Sequence, residues 1–174
     1  MIYLLRMWKV KTLKPVIFSA LLLLFLFTFS VPITAQESTS DAKPNITVDH
    51  VAGKIEKLKE KVTLFTKFKK ESKVDYYQYL AEKRLAELSY AVEKDINLVE
   101  PTASRYGTYI GIMTSYMVEN KMSEKKESTV EMFERHSKII EQLQKKFEHD
   151  SGWWLAIQHD INNTKLFTDQ LSVL

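Results

Sequence analysis

From Asp49 onward, apolar positions recur every three or four residues with charged residues between them, the spacing of helices that bury one side. In the first such stretch Val51, Ile55, Leu58, Val62 and Phe65 form one stripe, predicting a helix over about 49–69 packed through it against another helix. Leu64 and Phe68 widen the stripe, while Lys54, Lys57, Glu60 and Lys61 take the flanks and the opposite face. Asp49 is the expected N-cap. A short charged corner, Lys69-Lys70-Glu71-Ser72-Lys73, separates it from a second helix over about 73–96, with Ser72 and Asp75 spaced as a capping box. Its stripe is Val74, Tyr77, Ala81, Leu85, Leu88 and Val92. So short a connection between two long helices predicts an antiparallel hairpin.

Glu100-Pro101 restarts the chain, since proline is tolerated in a first helical turn. A third helix over about 101–120 carries Tyr106, Tyr109, Ile110, Met113, Tyr116 and Met117, with Gly107 and Gly111 four residues apart. Arg105 and Glu119 make this helix too polar to span a bilayer, so the glycines predict close approach of another helix within the bundle. A fourth helix, capped by Ser123, runs over about 124–147 on Val130, Phe133, Ile139, Ile140, Leu143 and Phe147. Asp150 or Ser151 caps a fifth over about 152–172, with Trp153, Trp154, Ile157, Ile161, Phe167, Leu171 and Leu174 as its stripe. The fold class is therefore all-α, an antiparallel bundle of four to five long helices over 49–174. Four glycines and four prolines in 174 residues agree with long helices and few turns.

The chain before Asp49 has a different pattern. Residues 1–14 are basic and residues 15–33 are an almost unbroken apolar run ending near Ile33-Thr34-Ala35. This is the layout of a secretory signal over 1–35, cleaved after Ala35, or of an uncleaved membrane anchor. The expected location is extracytoplasmic in either case, secreted or held by that segment. Residues 36–48 are polar and read as a flexible linker.

The leader also changes the charge picture. The formal +3 of the whole chain becomes 21 basic against 22 acidic residues from Gln36 onward, which argues against nucleic acid as a partner. Lys54 to Lys73 nonetheless holds eight lysines against Glu56, Glu60 and Glu71. Such a field is either a solvated face or a docking surface for anionic headgroups or wall polymer, with Lys67, Lys69, Lys70 and Lys73 as the candidate contacts. With no cysteine, the chain has no disulfide, thiolate metal site or cysteine nucleophile.

Lys59-Glu60-Lys61-Val62-Thr63-Leu64-Phe65 followed by Leu80-Ala81-Glu82-Lys83-Arg84-Leu85-Ala86-Glu87 resembles domain-of-unknown-function family 5667, over about residues 51–94. The resemblance implies a helical fold and bacterial export, and it brings no catalytic residues.

Candidate chemistry is sparse. His50, His136, His149 and His159 form no H-x-x-x-H or E-x-x-H pair. Glu148-His149-Asp150 and His159-Asp160 cluster near the fourth and fifth helices, making His149 and His159 the candidate metal ligands; otherwise they are solvated helix-end residues. Arg84 lies beside Ala81 and Leu85. It either snorkels with Glu87 as its neighbour, or reaches an acid on another helix in a buried clamp with Glu82 and Glu87. Phosphate-binding glycine loops are absent, and the two S-x-x-K matches, at Ser40 and Ser123, lack their companion motifs. The expectation is a non-enzymatic domain without a cofactor that binds a protein partner or the anionic envelope surface. The alternative is a small-ligand or metal-binding bundle.

Overall fold

A computed structural model describes residues 42–174; the expected leader, its cleavage point and the first part of the linker lie outside the described residues. Five α-helices follow one another: α1 Lys54–Phe65, α2 Lys70–Lys94, α3 Val99–Asn120, α4 Lys126–Gln144 and α5 Gly152–Leu171. Short 3-10 turns lead into α3 and α4, and the described residues contain no strand. The all-α bundle is thus realised.

Polar pairs between helices fix the topology. Glu87 with Arg105 and Tyr77 beside Tyr116 show that α2 and α3 run antiparallel. Gln144 to Gln158, and Lys126 to the Ser172 carbonyl, show the same for α4 and α5. The pairs between these two hairpins are parallel. Asp75, Gln78 and Glu82 of α2 meet Lys125, Thr129 and Arg135 in the same order. Gly107 and Gly111 of α3 likewise face Asp160 with Asn163 and then Phe167 of α5. Going round the bundle, the order is α2, α3, α5, α4, so consecutive helices are antiparallel and the cross-pairs are not.

The core holds the expected stripes of α2 to α5 except for Tyr109, Trp153 and Trp154, which stay outside it, Trp153 exposed at the start of α5. Val74, Ala81, Leu85, Leu88, Ile110, Met113, Met117, Phe133, Ile140 and Ile157 are fully or almost fully buried. Gly107 and Gly111 do bring another helix close: a Cβ at Gly107 would sit 2.8 Å from both Asp160 Oδ1 and Asn163 Nδ2, and one at Gly111 3.0 Å from Phe167. Ser151 caps α5 by accepting the Trp154 N–H.

Several boundaries differ from expectation. Residues 49–53 are not helical, and α1 starts after Gly53, whose N–H is accepted by the Glu56 carboxylate at 3.0 Å. Ser72 lies inside α2, which starts at Lys70. Ser123 opens a 3-10 turn instead of capping α4. The described end of the expected linker lies along the bundle: Ala42 packs against the core and the Asn45 amide reaches Glu82 at 3.5 Å.

The largest correction concerns α1. Its apolar stripe does not enter the core. Ile55, Leu58, Val62 and Phe65, together with Phe68 just beyond the helix, are 57–89 % exposed, while Glu60 is buried. The α1 and α2 backbones stay largely more than 8 Å apart, and long side chains bridge the space.

Candidate functional site

The inversion of α1 follows from what stands opposite it on α2. Arg84 is completely buried, and a buried guanidinium demands acids. Its Nη1 donates to Glu87 Oε1 at 2.5 Å, and its Nη2 donates to Glu60 of α1. Lys83 Nζ donates to the other Glu60 oxygen at 2.7 Å and lies 3.8 Å from Glu56. Glu87 is shared further, with Arg105 of α3 at 3.2 Å and the Ala52 N–H at 3.2 Å. Tyr109 covers the guanidinium face, its ring centre 4.9 Å from Arg84 Cζ. Burial disfavours the charges on Arg84 and Lys83. The surrounding carboxylates, Glu87 and Glu60 for Arg84 and Glu60 for Lys83, outweigh burial and leave both groups more basic than usual. The buried-clamp alternative for Arg84 and Glu87 is therefore the one the fold adopts, with Glu60 as the acid on another helix.

Glu56 and Glu60 face inward, and at about 100° per residue the opposite side of α1 is Ile55, Leu58, Val62 and Phe65. Lys54 and Lys61 border that stripe on one flank and Lys59 on the other. These four apolar side chains, Phe68 just beyond them and the three lysines are exposed. The candidate surface lysines divide in two. Lys69 and Lys70 are exposed at the corner. Lys67 and Lys73 are half-buried over tyrosines, 5.6 Å from the Tyr76 ring centre and 5.3 Å from that of Tyr116. The site is thus a ridge, apolar along its crest and basic along its sides, ending in Phe65, Phe68 and the corner.

A second polar group crosses the bundle centre. Glu82 of α2 is held by Arg135 of α4 and lies 3.2 Å from His136 Nε2, off a regular hydrogen-bond line. Burial opposes its charge, yet His136 and Arg135 bring its pKa down to about 2. His136 Nδ1 is 3.0 Å from the Tyr106 hydroxyl of α3. Burial lowers the His136 pKa, and Tyr106 is pushed well up by its complete burial. Glu82 was expected in one clamp with Arg84 and Glu87, but it belongs to this separate group. His136 and Tyr106 are sealed from solvent, so the group joins α2, α3 and α4 without offering a surface to a ligand.

The two candidate metal ligands are not brought into one donor set. His149 is exposed, with Nδ1 2.9 Å from Asp150 and its ring 4.3 Å from that of Trp154. His159 is exposed on α5 and lines a groove of about 660 Å³ with Glu100, Ser104, Asn163 and Asp160. Among the described residues no three His, Asp or Glu side chains gather to hold a metal ion. Asp160 itself is 1 % exposed and neither carboxylate oxygen has a hydrogen-bond partner. Desolvation raises its pKa to about 8, with the Asn163 amide acting in the opposite direction.

Comparison of the chain with family models, curated proteins and solved structures gives no match.

Proposed function

We propose that this chain is an exported, non-enzymatic helical bundle that docks on an anionic cell-envelope surface through α1 and the lysine corner. One observation carries the reading: the two acids of α1, Glu56 and Glu60, are turned toward Lys83 and Arg84, so they do not offset the lysines left outside. Five lysines of the segment, Lys54, Lys59, Lys61, Lys69 and Lys70, are exposed against Glu71 as the one exposed acid, a net of +4 beside exposed apolar side chains. The expected export signal would place this ridge where anionic headgroups and wall polymers are found.

The test is binding of residues 36–174 to anionic vesicles and to wall fractions, for the wild type and for Lys67→Glu, Lys69→Glu, Lys70→Glu. Each basic residue at such a surface contributes about 1 kcal/mol, so reversing three should weaken binding by roughly two orders of magnitude or more. Added salt should weaken the wild type in the same direction. Wild-type binding that ignores both salt and charge reversal would sink the proposal.

A further inference from the structure

We infer that the crest of α1 inserts into the headgroup region of an anionic lipid bilayer, with Ile55, Leu58, Val62, Phe65 and Phe68 as the embedded side chains. This deepens the surface-docking reading and rests on it, because it commits to lipid where that reading admits any anionic envelope surface.

The exposed crest is the first ground. Other large apolar residues on the described surface, such as Ile112, Leu155 and Leu166, are exposed on helices whose other apolar residues reach the core. On α1 the whole stripe points outward, and only Leu64 packs against the core from the other side. Full burial of one such side chain stabilises by about 1.5–3 kcal/mol, so five left in water are a large unrealised gain. Clustered exposure of this kind marks an interaction surface.

Charge selects the occupant. Lys54 and Lys61 on one flank, Lys59 on the other and Lys69 with Lys70 at the tip surround the apolar crest. This is the order an interfacial helix needs: apolar side chains down among the acyl boundaries, ammonium groups level with phosphates. A second copy of the chain fits badly, since apposing two crests would bring two lysine fields face to face. A soluble polyanion could meet the lysines but would leave five apolar side chains in water. An anionic bilayer satisfies both.

The clamp makes insertion compatible with the fold. α1 is fastened by Glu60, Lys83 and Arg84 on its inner side, so embedding the outer side breaks none of these contacts. The helix is about 18 Å long, enough for three turns lying flat on the surface.

The chain has no cysteine, so single labels can be placed without background. The full chain carrying an environment-sensitive fluorophore at Phe65→Cys, or at Glu134→Cys on α4, is reconstituted in phosphatidylcholine vesicles with and without phosphatidylglycerol. The label at 65 should shift to the blue and lose several-fold of its quenching by aqueous iodide only when phosphatidylglycerol is present; the label at 134 should stay wet. A label at 65 as accessible as that at 134 in anionic vesicles overturns insertion. So does a label at 65 that becomes shielded without lipid as protein concentration rises, which would make the occupant a second copy. If the charge-reversed protein loses its salt-sensitive binding while the native label at 65 remains wet, surface docking stands and insertion alone falls. If neither salt nor charge reversal matters and the label is wet, both fall.

Discussion

Asp160 keeps its proton at neutral pH because its burial outweighs the Asn163 amide, the neighbour that favours the anion. Its folded pKa is about 8, against an ordinary 3.8. The folded state therefore binds more protons than the unfolded state across that interval, and stability falls as pH rises from about 4 to about 8. Asparagine cannot ionise, so Asp160→Asn should gain on the wild type as pH rises through this window. At about 1.4 kcal/mol per pKa unit, an advantage of roughly 2 kcal/mol or more is expected at pH 9 and little at pH 4. Denaturant titrations at the two pH values measure it, and an advantage independent of pH would contradict the assignment. None of this was visible along the chain. Asp160 follows His159 in what looks like a solvated pair, and only the approach of α5 to Gly107 puts its carboxyl in the dark. The glycine spacing did announce that approach, but not which residues would meet there. Of the groups singled out for metal, His149 is spent on Asp150 at the surface, whereas the buried histidine, His136, carries no companion motif.

Apolar periodicity located all five helices to within a few residues, except at the start of α1, and assigned the right face to four of them. For α1 it defined the stripe correctly and pointed it the wrong way. An amphipathic helix has two sides, and spacing does not say which one meets the protein. That choice was made by Arg84, 24 positions away from Glu60, whose burial needs an acid from across the gap. The clamp has its own test. Glu60→Gln leaves Arg84 with Glu87 alone and should cost about 3–5 kcal/mol in attachment of α1. Amide exchange should then accelerate over residues 57–65 while the buried amides of α2 to α5 hold their protection. Uniform acceleration would mean that α1 is an integral part of the core. Replacing both partners, as in Glu60→Leu with Arg84→Met, should recover much of the loss because no buried charge is left unpaired. The α3–α5 contact offers a contrast between its two glycines. Gly107→Ala forces a methyl against the buried Asp160 and Asn163, and crowding of about 1–3 kcal/mol should exceed the helix-propensity gain of about 1 kcal/mol. Gly111→Ala meets the tip of a half-buried Phe167 that can give way, so thermal melts should show little change.

At the scale of the molecule, two antiparallel hairpins lie side by side in parallel register, which the sequence could not show because register depends on contacts between distant helices. Their ring order puts α5 diagonally across from α2, and hence on the side away from α1. Because α1 runs antiparallel to α2, with Glu56 and Glu60 meeting Lys83 and Arg84 while Lys67 meets Tyr76, its crest is aligned with the long direction of the bundle. A rod fastened along its flank lies down. Seated on a membrane by α1, the domain would rest on its side with all four core helices roughly in the plane of the surface, instead of standing on its lysine corner. α5, diagonal to α2, would form the roof, with His159 and Lys165 on the half of the domain away from the lipid and open to whatever moves through the space above.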